Sequence, residues 1–453
     1  MNKTTFIKLL LYSGNTFTPD YSLYALQTLN PNMPNYNPAA SIVLKKAGYG
    51  TTLQHPVIKN KGKWFLTYTE AATISHKGFP SFYSKVNVLD DDGIVTPDTT
   101  VLYEFTSFNE LMYFTSLTAI KCKTNSNNTG IFQNCTKLTS VTLPNTITTI
   151  GGTSFINSIN TNGTFAGCYN LETINLPNGL TTIDRGCFAN CTKLNVSSIP
   201  NTVTTLGSGA FYNCTSLTIT SLPPNLTNLE TQYQYQGTFY NCTNLALTSL
   251  PENWTNIPAG SFYQCTHLNI NNLPSSLRTI EHNAFYKARL PLTTLPENLT
   301  RIKEGAFYFS YGLVIDKLPD NCIVESSVAN NGAFQGTSIN INKIPEGNTI
   351  IVDTFNECSR IRSIELPSTI TKLCGHDGVN HHAAFKACIN LKTIIIKATT
   401  PPTINQIAVD IWSSPQSNLH IDNIYVPAES VELYKTTTYW SQLANIISAI
   451  STT

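Results

Sequence analysis

The chain has 453 residues, with 28 Lys and Arg against 27 Asp and Glu, a formal charge of +1, and only 12% charged residues. That balance excludes a phosphate-dominated nucleic-acid binder, which needs a basic face, and a polybasic membrane anchor. Hydrophobic content of 41% suffices for a continuous core, yet no apolar run approaches the ~20 residues of a membrane-spanning helix.

The opening MNKTTFIKLLLYSG has a short apolar stretch that Lys8 interrupts. No small-residue cleavage site follows, so no cleaved export signal is expected. Residues 1–56 are rich in Asn, Pro, Tyr and Thr, as in TLNPNMPNYNPAAS. Composition alone fits a flexible leader. Several Tyr and Leu residues, scarce in disordered chain, fit instead a docking segment that joins protein partners in a larger assembly. Asp90, Asp91 and Asp92 precede Gly93 and read as a solvated turn, not a cation site.

From Phe132 onward the chain repeats itself. FQNCTKLTSVTLPNTITTI starts at Phe132, FAGCYNLETINLPNGLTTI at Phe165, FANCTKLNVSSIPNTVTTL at Phe188 and FYNCTSLTITSLPPNLTNL at Phe211. Further copies start at Phe239, Phe262, Phe285, Phe307, Phe334, Phe355 and Phe385. Successive Phe positions lie 33, 23, 23, 28, 23, 23, 22, 27, 21 and 30 residues apart, so the base period is 23 and four coils carry insertions. One such coil cannot bury its apolar side alone, whereas stacked coils bury each other's faces.

Stacking turns like positions into columns. Phe132, Phe165, Phe188, Phe211, Phe239 and Phe262 are expected to fill the core with aromatic contacts. Cys135, Cys168, Cys191, Cys214, Cys242 and Cys265 form a second column, continued by Cys358 and Cys388. Parallel side chains there give poor disulfide geometry, so free thiols are expected. The Leu-x(4)-Leu segment reads as a short strand that a proline ends, as at Pro144 and Pro177. The following TITTI or TVTTL is a second extended run, rich in β-branched residues. The fold class is therefore mainly β: a solenoid of about eleven coils and, at strand spacing, on the order of 50 Å long.

The four insertions fall at one coil position, residues 151–164, 230–238, about 324–333 and 374–384. Same-sided loops on a rigid scaffold are candidate binding elements, against the alternative of neutral drift in loop length. The insertion ETQYQYQG offers Tyr233 and Tyr235 for sugar or protein contact. The last insertion, CGHDGVNHHAA, offers His376, Asp377, His381 and His382. Their spacing matches no zinc motif, so no metal is expected. The N-C-T triplets at Asn134, Asn190, Asn213 and Asn241 are read as by-products of the repeat, with Asn and Thr bonding turn backbone. Nothing resembles a phosphate loop, a nucleophile elbow or a paired-carboxylate site, so no enzyme activity and no cofactor are expected.

Open solenoid ends expose strand edges that must be covered. Residues 57–131 are read as the N-terminal cap region, residues 132–397 as the solenoid and residues 398–453 as the C-terminal cap. The last holds a strand near Ile424–Val426 and helical character over Glu429–Lys435 and Tyr439–Ile450.

The Phe-x-x-Cys-x-x-Leu…Leu-Pro pattern resembles the BspA-like class of leucine-rich repeats over about residues 105 to 397. FTSFNELMYFTSLTAI, from Phe105, is similar to the opening coil of such proteins, and YVPAESVELYK, from Tyr425, to their closing unit. The resemblance implies binding and not catalysis: a surface adhesion or interaction protein of gut or oral bacteria, or a component of phages that infect them. Similar proteins often carry an acidic, calcium-loop-like stretch where this chain has Lys59, Lys61 and Lys63. Lysines supply no oxygen ligands, so no calcium is expected there. The missing export signal and the unexplained leader favour a virion-associated component docked through residues 1–56. The alternative is a cell-surface or secreted bacterial adhesin that binds a host protein or glycan.

Overall fold

The computed structural model describes residues 117–120, 132–151, 163–230, 237–326, 331–376, 381–413 and 420–451, and further strands at 23–24, 58–60, 63–67, 87–89, 95–97 and 107–108. Two series of parallel strands run along the repeat. The first holds Ala119–Ile120, Thr149–Ile150, Thr182–Ile183, Thr205–Leu206 and Asn228–Leu229, hydrogen-bonded in chain order. It resumes with Asn256–Ile257, Thr279–Ile280, Arg301–Ile302 and Ile323–Val324. The gap between the two groups coincides with the insertion after Leu229. The coils up to Ile323–Val324 thus each add one strand in the same direction, and the series continues as single parallel bridges at Ile350, Lys372 and Thr403, which makes a solenoid. The buried Ile or Leu of each pair sits beside its equivalent in the next coil, as Ile150, Ile183 and Leu206 do.

The turn between the two extended runs begins at proline. The carbonyls of Pro144, Pro177 and Pro200 accept from the N–H groups of Ile147, Leu180 and Val203, three residues on. Proline presets the backbone for such a turn and its missing N–H halts the strand before it.

The second strand series departs from the expectation of a strand in every coil. Ser140–Thr142 pairs with Thr173–Asn175, and Ser363–Leu366 with Thr393–Ile396. The seven coils between these pairs form no strand at this position among the described residues. The reason lies in the spacing of buried side chains. The outer coils bury Leu138, Val141 and Leu143, or Ile361, Ile364 and Leu366, with a two-residue then a one-residue gap. The central coils reverse the order: Leu194, Val196 and Ile199, or Leu268, Ile270 and Leu273. The pleat alternates strictly, so two adjacent outward residues, Ser197 and Ser198 or Asn271 and Asn272, break it.

One contiguous apolar core runs from Leu117 to Ile447. At its C-terminal end the strand Asn423–Val426 extends the sheet of Ser363–Leu366 and Thr393–Ile396. An α-helix at Gln406–Ser413, not foreseen in the sequence, buries Ala408, Val409 and Trp412. Its start is capped by Asn405, whose Oδ1 accepts from the Ala408 N–H at 2.9 Å. Glu429–Lys435 falls on a 3-10 turn and the helix Val431–Thr436. Residues 439–450 are not one helix: a 3-10 segment at Trp440–Ile446 leads into a strand, Ile447–Ala449, that pairs with Asn423–Val426. The free edge of the sheet claims this last segment. Trp412, Tyr434 and Trp440 are buried there, their polar tips donating to the carbonyls of Ala384, Ala398 and Pro402.

Ahead of the repeat, Ile58–Asn60 and Lys63–Thr67 form a hairpin, and Leu23–Tyr24 pairs with its second strand. Asn87–Leu89 and Val95–Pro97 pair across the Asp90–Asp92 run. Ser107–Phe108 pairs in parallel with Ser140–Thr142, and the rest of residues 1–116 lies outside the described residues.

Candidate interaction face

Every coil makes the same tight turn after its core Phe. The Phe rings of successive coils stack with centroids 5.0 to 6.2 Å apart and are fully buried. Two positions on, the backbone is left-handed: φ is 58° at Asn134, 62° at Asn190, 58° at Asn213 and Asn241, and 57° at Gln264. That twist aims the N–H along the solenoid axis. Asn190, Asn213, Asn241 and Gln264 donate to the carbonyls of Tyr212, Tyr240, Tyr263 and Tyr286 at 2.7 Å. Asn tolerates this conformation better than most residues, which explains the recurring N-C-T triplet.

The triplet's Thr hydroxyls bond backbone: Thr215, Thr243 and Thr266 donate to the carbonyls of Thr192, Thr215 and Thr243. The Asn side chains differ from the expectation of backbone bonding and form an amide ladder. Asn213 donates to Asn190 Oδ1 at 3.0 Å and Asn241 to Asn213 Oδ1 at 2.7 Å.

The cysteine column lies inside the same turn. The Sγ atoms of Cys168, Cys191, Cys214, Cys242 and Cys265 donate to the carbonyls of Phe132, Phe165, Phe188, Phe211 and Phe239, each one coil back, at 2.9 to 3.1 Å. Cys358 and Cys388 do the same to Phe334 and Phe355. All cysteines among the described residues are free. Burial pushes the Cys191, Cys214 and Cys265 thiols well up, with neighbouring cysteines adding to the shift. Burial also pushes Cys135 up, followed by its hydrogen bond with Cys168. These groups are protonated donors and not nucleophiles.

The outward position next to the core Phe carries a column that sequence reasoning missed. Tyr212, Tyr240, Tyr263, Tyr286 and Tyr308 are half-buried and stack on one another. Their centroids lie 4.9, 4.2, 4.3 and 4.6 Å apart, with interplanar angles of 17° or less. Over the same four steps the core Phe rings are 5.6, 5.8, 5.4 and 5.7 Å apart. The tyrosine rings are therefore stacked more closely than the core Phe rings. Partial burial raises the Tyr212 and Tyr308 phenol pKa values, and at Tyr308 the nearby Tyr286 and Glu357 add to it. The signal was legible as FYNC, FYNC, FYQC, FYKA and FYFS.

Beyond the tyrosines, the same face continues through the central coils. From Phe to Pro these read FANCTKLNVSSIP, FYNCTSLTITSLP, FYNCTNLALTSLP, FYQCTHLNINNLP and FYKARLPLTTLP, without one carboxylate. The exposed residues include Asn195, Ser197, Thr218, Thr220, Thr248, Asn269, Asn271 and Thr293. Two of the few cations are engaged: Lys287 sits 5.4 Å over the Tyr286 ring, and Arg289 donates to the Leu268 carbonyl and Asn269 Oδ1.

The insertions are placed only at their roots. Tyr233, Tyr235 and Asp377 lie outside the described residues. His376, His381 and His382 lie on two antiparallel strands, Cys374–His376 and His381–Ala383, with His376 paired to His381 and Gly375 to His382. Among the described residues no three His, Cys, Asp or Glu side chains gather to hold a metal, and no helix is long and apolar enough to cross a membrane.

The family model for the BspA type leucine rich repeat region matches the chain over residues 94–163, 157–236, 232–352, 327–412 and 350–448. No curated protein matches. Solved structures similar to it include a leucine-rich repeat protein from Bacteroides ovatus, 17% identical with a TM-score of 0.38, covering 74% of this chain and 92% of that one. Another is a leucine rich cell surface protein from Faecalibacterium prausnitzii, 21% identical with a TM-score of 0.36, covering 74% and 84%. A third is the pneumococcal vaccine antigen PcpA, 18% identical with a TM-score of 0.38, covering 84% and 76%.

Proposed function

The chain belongs to the family of BspA-type leucine-rich-repeat proteins, and we propose that it is a non-enzymatic adhesion protein that binds its partner through the tyrosine side of the central coils. The observation that carries this reading is the composition of that face. Between Phe and Pro, the five consecutive coils from Phe188 to Phe285 present Tyr, Asn, Gln, Thr and Ser on rigid backbone, with no carboxylate. Binding surfaces are enriched in Tyr and depleted in Lys, Glu and Asp, and Tyr with Ser and Asn is the mixture that antibody loops use. Stacked repeats offer extended surfaces of this kind for binding.

We place the protein at a bacterial surface, the role common among the proteins it resembles. The virion expectation rested on the absence of an export signal and on the leader, of which only Leu23–Tyr24 lies within the described residues, and no matched protein supports it, so the surface adhesin is the better-supported reading. The protein is tested on immobilised mucin and extracellular-matrix proteins, using the full chain and a Thr220→Glu, Thr248→Glu variant. Both substitutions put charge on exposed sites of the face. Adherence that falls at least about tenfold, as loss of interface residues can cause, supports the reading. Unchanged adherence of a folded variant sinks it.

A further inference from the structure

We propose that the tyrosine face takes an uncharged, linear polysaccharide laid along the solenoid axis. This rests on the binding face proposed above and names its ligand class. The first argument is repetition. From Tyr212 to Tyr308 the same element recurs at four nearly equal steps of 4.2 to 4.9 Å, about 18 Å of ladder at strand-like spacing. Beside it run the amides of Asn190, Asn213, Asn241 and Gln264 and a row of threonines. A periodic row of like groups gains most from a ligand whose groups also repeat. A globular protein surface without stacked repeats offers no such repetition, whereas a linear polysaccharide does.

The second argument is charge. Between Phe and Pro, the coils of Phe211, Phe239 and Phe262 carry neither a carboxylate nor a Lys or Arg, and the Lys287 and Arg289 of the Phe285 coil are engaged within the protein. A charged polymer would leave water there without an opposite charge to meet it. Hydroxyls and amides instead exchange hydrogen bonds with sugar hydroxyls at little cost.

The third argument is a side chain of the protein itself. Tyr311, among the exposed apolar residues, reaches back across the Arg289 coil, and its hydroxyl donates to the Thr266 carbonyl at 2.6 Å. A hydroxyl-bearing group lying lengthwise over the coils is therefore already accommodated at the edge of the ladder. The ring faces of the tyrosines are taken up by each other, so the ligand meets ring edges and phenol oxygens. The site is a rail and not a stacking platform.

The full chain is titrated by calorimetry with uncharged β-1,4-linked glucan, xylan and galactan oligomers, from disaccharide to octasaccharide, and with oligogalacturonate as the charged control. At least one uncharged series is expected to bind, with affinity rising with length until the oligomer spans the ladder and then levelling. Tyr263→Ala should weaken binding about tenfold or more. Tyr263→Phe, which keeps the stack, should weaken it less, and this variant guards against misfolding as the cause. Failure of every uncharged series to bind, tighter binding of oligogalacturonate, or binding indifferent to both variants overturns the proposal. Adherence that needs the face yet survives enzymatic removal of glycans from the coated surface assigns the face to a protein partner. That outcome overturns the polysaccharide and leaves the adhesion reading standing.

Discussion

Replacing Cys214 by Ala tests whether the cysteine column works through its S–H donors. Cys214 is fully buried and donates to the Phe188 carbonyl at 3.1 Å. That carbonyl also accepts the Cys191 N–H at 3.0 Å, so losing the thiol does not orphan it. The lost hydrogen bond costs about 0.5–1.5 kcal/mol. The cavity left by one sulfur, near a methyl group in size, adds about 1 kcal/mol. Cys214→Ala should therefore destabilise by about 2 kcal/mol. Cys214→Ser keeps a donor and should cost about half as much or less. The protein already shows this exchange, since Ser310 occupies the cysteine position of its coil and donates to the Phe285 carbonyl at 2.6 Å. Urea midpoints followed by circular dichroism read the order directly, with the transition width checked because repeat arrays can unfold in parts. Equal loss for the Ser and Ala variants would refute the donor argument and leave only packing.

Three further outcomes are expected. At Ala288, which fills the cysteine position of the Phe285 coil and is fully buried, Ala288→Cys should add a donor toward the Phe262 carbonyl and stabilise by about 0.5–1.5 kcal/mol in the same urea assay. Lys287 holds φ at 52°; Lys287→Asn relieves that, so its midpoint should rise by the equivalent of about 1 kcal/mol, and a fall would count against backbone strain at this turn. The buried thiols should make the protein labile to alkali. Burial raises Cys322 and Cys358 from 9.0 to about 12, so between these values the unfolded chain loses protons that the folded chain keeps. Stability is then complete below about pH 9 and falls as pH rises toward 12, by up to about 1.4 kcal/mol per unit for each such thiol. A stability that stays flat from pH 9 to 11 would show that the thiols ionise in place.

The repeat was legible because its physics is local to one coil. Phe, Cys, Leu and Pro recur at fixed offsets, and stacking alone explains why those types sit inside. The central coils' missing strand was also written in the chain, as Leu194-x-Val196-x-x-Ile199 against Leu138-x-x-Val141-x-Leu143. Reading both as one Leu-x(4)-Leu rule concealed it. The Tyr212–Tyr308 column is written as the outward neighbour of each inward Phe, and its meaning appears only when the coils stack. Other features exist only between coils and have no signature within one. The thiol-to-carbonyl bonds, the asparagine amide ladder and the close stacking of the tyrosine rings are of this kind. The closing strand Ile447–Ala449 depends on an unpaired edge at Asn423–Val426, which local helical character in residues 439–450 could not reveal.

Hydroxyl-radical footprinting of the full chain, free and bound to whichever coated surface it adheres to, tests most directly that the central face is where the partner sits. Protection centred on Tyr212, Tyr240, Tyr263, Tyr286 and Tyr308 is the predicted result. Protection confined to the exposed Thr148, Thr181 and Thr204 of the other strand run, or to the insertions, with these tyrosines labelled as in the free protein, would contradict it.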